Sequence, residues 1–342
     1  MKTQKNIYMA LQGGGAHGAY TWGVLDKILE DGRLNIHCCS ASSAGSLNAA
    51  ILAYGRLKGG ADGAREALNN FWRKVSQLEH CLSDFPRPLV DKFMLYFCYS
   101  SFDGMSRMLS PYQFNPMNFN PLKDLLLELI DFEELRKNKL TYLYITTTNV
   151  RTGRARIFKT SEITADTLIA SASLPYLFQA TKIGEEYYWD GGYSGNPSIF
   201  PLFYHGTAKD ILIVHINPIT RSTVPQTSND IADRINEVSF NCSLTHEIRS
   251  VAFVNKLLDQ EWLKEERRPY FSHMLIHSIR ADEALKELDI TSKFDTHWYF
   301  LTYLRDLGRA EATKWLNTHY DNLGKKSTLD IDKFLANNDV MV

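Results

Sequence analysis

Residues 9–32, MALQGGGAHGAYTWGVLDKILEDG, place Gly13-x-Gly15-x-x-Gly18 between an apolar run and an amphipathic segment. A glycine turn joining a buried strand to a helix constrains the fold strongly. Such units stack their strands in parallel and need helices to cover both faces. NIYMAL (6–11) reads as the strand, and Val24, Leu25, Ile28 and Leu29 recur at helical spacing before Gly32 ends the helix. A second unit follows directly: NIHCCSAS (35–42) reads as a strand and 44–57 as a helix of small residues.

Farther along, 59–77 reads as a helix and 85–120 is aromatic and broken by proline. LTYLYITTTNV (140–150) and RARIFKT (154–160) resemble strands paired around Arg151-Thr152-Gly153. A helix, ADTLIASASL, stops at Pro175, and DILIVHI (210–216) is a strongly apolar strand. From about residue 221 the character changes, with helical patterns over 231–266 and 297–316. The expected architecture is an α/β fold, a three-layer α/β/α sandwich with a mainly parallel central sheet over 7–206. A mainly helical C-terminal region over 221–342 is expected beside it, with no role assigned.

The balance of charge excludes one class of function. Lys and Arg (38) offset Asp and Glu (39), so nothing draws the chain as a whole to nucleic acid. Five cysteines, an odd number without framework spacing, suit a reducing compartment. Cys38 and Cys39, adjacent on a strand, read as core packing rather than metal ligands. IYMAL is too short for a signal-peptide core. PLVDKFMLYFCYSSF (88–102), interrupted by Asp91 and Lys92, falls short of the about 20 apolar residues that a spanning helix needs. The expectation is a cytoplasmic protein, at most peripheral to a membrane.

The glycine loop resembles a dinucleotide fingerprint, but its confirming partner is missing. A carboxylate should close the second strand, and CCSASS stands there instead. A P-loop would need a lysine after Gly18. The second strand end carries a more specific pattern. SASSAGSLNAAIL is a strand, a tight turn and a helix, the setting of a nucleophile elbow, with Ala41-Ser42-Ser43-Ala44-Gly45 in place of G-x-S-x-G. Ser43 takes the apex, since it alone has Gly two positions on and small residues on both sides. Ser46, three residues on, excludes a Ser-x-x-Lys arrangement.

Two consecutive turns of a parallel sheet emerge at one carboxyl edge, which puts the N–H groups of Gly13, Gly14 and Gly15 beside Ser43. With the N–H of Ala44 they are candidate donors to a transient oxyanion. A serine also needs a base. His17, inside the glycine loop, reads either as a proton carrier or as a packing residue at the helix start. Asp190, in YYWDGGYSGNPS, reads either as a surface Asp-Gly turn or as a carboxylate made basic by burial under Trp189 and Tyr193.

Taken in order, Gly13-Gly14-Gly15-Ala16-His17-Gly18, the elbow at Ser43 and Asp190-Gly191-Gly192 resemble the patatin-like phospholipases over roughly residues 7–206. SASLPYLFQA (171–180) also resembles that family's stretch ahead of its catalytic aspartate. The resemblance implies a Ser–Asp dyad, with Ser43 as nucleophile, Asp190 as general base and the glycine loop as oxyanion hole. It implies hydrolysis of lipid acyl esters, often of phospholipids, with no metal and no cofactor. The chain departs from the family at Ala41, where a glycine is usual. The expected partners are a lipid or other acyl ester and, transiently, a membrane surface, with the aromatic stretch 86–118 as either core or a cover over the Ser43 cleft. Two alternatives stand beside this reading: a catalytically weakened lipid- or acyl-binding protein, and an esterase for small hydroxyacid esters.

Overall fold

The computed structural model describes residues 4–78, 110–206, 208–221, 224–262, 264, 266, 273–285, 288 and 290–335. Strand β1 (Lys5–Leu11) pairs in parallel with β2 (Leu34–Ala41) on one side and β7 (Asp210–His215) on the other. β2 continues in parallel to β3 (Tyr142–Asn149), and β7 to β8 (Leu275–Arg280). β4 (Ala155–Lys159), β5 (Thr181–Ile183) and β6 (Glu186–Asp190) complete the sheet as antiparallel additions beyond β2.

Side chains alternate along each central strand, and both faces are buried, as a parallel sheet requires. Ile7, Met9 and Leu11 face one layer, and Tyr8 and Ala10 face the other. The first layer holds α1 (Gly18–Asp31), α2 (Ala44–Val75) and α6 (Trp298–His319), with α2 broken at Gly59-Gly60. The second layer includes α5 (Ser228–Asp259), which buries Leu244, Ile248 and Val251 against Ile211, Ile213 and Ile276. Two shorter helices follow: α3 (Pro121–Leu129) lies between α2 and β3 in the chain, and α4 (Ala165–Ser171) lies between β4 and β5. Cys38 and Cys39 point to opposite faces and are buried in opposite core clusters. The α/β sandwich with a mainly parallel sheet is thus present.

The core draws residues from both 7–206 and 221–342. β8 extends the sheet from β7, and Leu301, Leu304 and Leu316 of α6 share a cluster with Leu25 and Ile28 of α1. The reason is that α1 needs a second helix to cover its apolar face, and the chain supplies that cover late. Arg65 of α2 and Arg309 of α6 both reach Asp26 and Glu30 of α1, tying the layer together. Among the described residues no helix is long and apolar enough to cross a membrane.

Backbones approach closely where α1 meets α6. A Cβ at Gly23 would overlap the Arg305 carbonyl oxygen, and one at Gly308 would overlap the Tyr20 carbonyl oxygen. Backbone cannot yield as a flexible side chain can. Gly23→Ala and Gly308→Ala should each lose about 1–3 kcal/mol of stability in denaturant unfolding. Gly59→Ala, beside which nothing lies within 4 Å, should stay within about 0.5 kcal/mol of the parent. Equal effects at all three positions would show that the helices are not in contact.

Candidate active site

Ser43, the residue that caps the N-terminus of α2, has φ 52° and ψ −129°, a left-handed conformation rare for a residue with a side chain. Such strain costs about 1–3 kcal/mol and persists only where the surroundings enforce it. Here the Ser43 N–H donates to Ser171 Oγ at 3.0 Å, and the Ser171 hydroxyl donates to the Thr146 carbonyl at 2.7 Å. The neighbouring serines are committed elsewhere. Ser40 and Ser42 donate to the carbonyls of Ser198 and Gly195, and Ser46 donates to the Ser43 carbonyl. All three are fully buried, whereas Ser43 keeps 8% of its surface.

Strand pairing explains how Asp190 comes to this serine. β4 occupies one edge of β3, while β2 and β6 share the other, end to end. Ala41 pairs with Ile145, and Asp190 pairs with Thr147, two residues on. Ser43 also lies two residues beyond Ala41, so elbow and carboxylate converge where β2 ends. The stretch 171–180 braces both sides: Ser171 holds the Ser43 N–H, and the Ser173 carbonyl accepts from the Asp190 N–H at 2.8 Å.

Asp190 is no surface turn, being fully buried. Its Oδ1 accepts from the Gly192 N–H at 2.7 Å, and its Oδ2 has no complete hydrogen bond among the described residues. Burial pushes the carboxyl up to about 7, while the Ser43 hydroxyl, the Gly192 N–H and the charge of Lys293 act in the opposite direction. Tyr193, beside Asp190, is raised by burial and by that carboxylate.

The glycine loop lies directly on the elbow. A Cβ at Gly13 would overlap Ser43 Cβ and stand 3.2 Å from Ser43 Oγ, so only glycine fits there. The Gly13 N–H is engaged, donating to Asn196 Oδ1 at 2.7 Å. Gly13 therefore supplies close approach rather than a free donor. The described residues give the N–H groups of Gly14 and Gly15 no acceptor, and that of Ala44 belongs to the first turn of α2, where no intrahelical partner exists.

Beneath the loop runs a buried amide network that sequence reasoning missed. Gln12 Oε1 accepts from the N–H groups of Ile216 and Asn217 at 3.0 and 3.1 Å, and Gln12 Nε2 donates to Asn241 Oδ1 at 3.0 Å. Asn217 Nδ2 donates to the Gly13 carbonyl at 2.8 Å. His17, which the sequence left open as a proton carrier, is buried and bonds through Nε2 to Ser292 Oγ at 2.7 Å. Burial, with Lys293 nearby, brings its pKa down to about 3, so it is neutral. The proposed cover, 86–118, lies outside the described residues up to 109, including Leu95 and Phe97. The remainder forms a short turn of helix at Pro111–Phe114, with Tyr112 and Met117 exposed and Tyr112 Oη accepting from the Ala180 N–H.

A family model described as patatin-like phospholipase matches residues 9–203, more than half of the chain. No curated protein matches it. Among solved structures, VipD from Legionella pneumophila is similar at 15% identity and a TM-score of 0.42, over 92% of this chain and 67% of that one. A chain of the full-length SpcU–ExoU complex of the Pseudomonas aeruginosa type III secretion system is similar at 15% identity and a TM-score of 0.32. That match covers 93% of this chain but only 54% of the other, so the present chain spans about half of its length.

The buried carboxyl has a consequence for stability. With a folded pKa near 7 against about 3.9 when unfolded, protonated Asp190 favours the folded state below the lower value, and that contribution is lost as pH rises through 7. Asp190→Asn lacks this dependence. Its unfolding free energy relative to the parent should therefore improve by a few kcal/mol between about pH 4 and pH 8, read from denaturant melts. A constant difference across that range would place the carboxyl in water.

Proposed function

The chain belongs to the patatin-like phospholipase family, and on that footing we propose that it is a serine lipid acyl hydrolase working through a Ser43–Asp190 dyad. One observation carries the reading: Ser43 is held in a strained turn with its hydroxyl beside a fully buried carboxyl whose pKa is raised to about 7. A general base acts best when its pKa lies near the working pH.

In the proposed cycle the Asp190 carboxylate takes the Ser43 proton as Oγ attacks the acyl carbonyl. The charge on the tetrahedral oxygen is met by the N–H groups of Gly14, Gly15 and Ala44, aided by the positive end of α2. Collapse expels the alcohol portion of the lipid, which takes the proton from Asp190. Water, deprotonated by Asp190, then attacks the acyl-serine, and its collapse releases the fatty acid and restores Ser43. Neutral His17 has no step in this cycle. Residues 7–206 carry the chemistry, and the 221–342 region completes the core around it.

The substrate class is an acyl ester of a lipid, met at a membrane surface. Supporting this, Tyr112, Met117, Phe119 and Tyr176 are exposed, and Gln179 bonds the carbonyl of Asn115, joining the segments that bear them. The described cysteines, Cys38, Cys39 and Cys242, are free thiols, which supports a reducing, cytoplasmic setting.

Ser43→Ala and Asp190→Asn should each lower turnover of a phospholipid or a soluble acyl ester by about 10³-fold or more, because the two act as one unit. His17→Ala should stay within about tenfold of the parent if it remains folded. A fluorophosphonate should label Ser43 in the parent and leave Ser43→Ala untouched. Absence of labelling, with lipid binding intact, would favour a binding protein of the same fold. Turnover confined to small hydroxyacid esters would favour the narrower esterase.

A further inference from the structure

The turn Ile290–Phe294, far along the chain, presses on the glycine loop. Gly15 has φ 59°, and a Cβ there would overlap the Lys293 carbonyl oxygen. Next to it, Ser292 Oγ meets His17 Nε2. The Lys293 ammonium donates to Asn217 Oδ1 at 2.9 Å and to Asn236 Oδ1 at 2.8 Å, and it lies 5.6 Å from the centre of the Phe240 ring. Asn217 in turn donates through Nδ2 to the Gly13 carbonyl, to which Asn196 Nδ2 also donates at 3.4 Å.

The Gly13 carbonyl and the Gly14 N–H belong to one planar trans peptide, so they point in opposite directions. Clamping that carbonyl into the amide network turns the Gly14 N–H away from the network. We propose that Lys293 is a positioning residue for acyl transfer: by fixing Asn217 it locks the Gly13–Gly14 peptide so that the Gly14 N–H faces the oxyanion. This rests on the Ser43–Asp190 reading and deepens it by bringing the C-terminal region into the site.

The same ammonium has a second effect. Asp190 is faced by the Ser43 hydroxyl from α2, by the Gly192 N–H and Tyr193 from its own turn, and by Lys293 from the turn at 290–294. His17 is neutral, so its ring adds no charge. Removing the Lys293 charge therefore leaves the carboxylate harder to form.

The test compares Lys293→Met, Lys293→Gln and Lys293→Arg with the parent and with Ser43→Ala, using a soluble nitrophenyl acyl ester. Lys293→Met should lower kcat by about 10²-fold with little change in KM, the scale of losing one oxyanion donor. The acid limb of its kcat/KM profile should move to higher pH. Lys293→Gln, which keeps a hydrogen-bond donor but no charge, should show the shifted limb with a smaller loss of kcat, and it serves if Lys293→Met does not fold. Lys293→Arg should recover the limb and part of kcat. Parent-like kcat and an unmoved limb in the folded neutral variants, with Ser43→Ala silent, would overturn the role of Lys293 and leave the dyad standing. Turnover that survives Ser43→Ala would overturn the dyad and this inference with it.

Discussion

The peptide at Gly13 lies so close to Ser43 that no methyl group fits between them. This contact requires β1 and β2 to be parallel neighbours whose turns leave the sheet at the same height. It also keeps the elbow from relaxing, since Ser43 cannot leave its strained φ without moving against the loop or breaking its bond to Ser171. The strain is therefore held by two independent neighbours, one from each side. What meets Ser43 at this junction is glycine backbone rather than a side chain.

Charge is distributed around the junction with little redundancy. Asp190 is removed from water, His17 is neutral, and the positive influence on both comes from Lys293. A lysine half-buried against two asparagine oxygens keeps its direction while remaining satisfied. The Gln12, Asn196, Asn217 and Asn241 side chains are the means by which three distant segments agree on one loop conformation. Unmet amides at this depth would cost more than their bonds return. Such a network is either complete or a liability.

Local patterns in the sequence announced much of this and stopped at a definite point. The strands and helices of the first 57 residues follow from apolar spacing and glycine punctuation, and the elbow from its small residues. Asp190 could be singled out only as one of two readings, because alternation along β6 does not tell a buried carboxylate from a hairpin turn. Its burial arises from β6 taking over the edge of β3 that β2 vacates, a pairing across more than 40 residues. Gln12 and Asn196 are separated by 184 residues and Gln12 and Asn241 by 229, so no local pattern could pair their amides. Lys293 had no motif at all. The stretch 171–180 was recognisable by likeness, but its task of bracing both the elbow and Asp190 appears only in three dimensions.

The late arrival of α6 and β8 bears on how the chain is made. The stretch matching the family model ends at residue 203, yet the apolar face of α1 is covered by residues 298–319 and the open edge of β7 by residues 275–280. At a synthesis rate of about 5–20 residues per second, on the order of ten seconds separate the appearance of the first part from that of its cover. During that interval a nascent sheet carries an unpaired central-type strand and a bare helix face, the kind of surface that chaperones bind and that aggregates seed upon. The glycine loop is thus translated among the first residues, while Lys293, whose carbonyl packs against Gly15, is translated among the last.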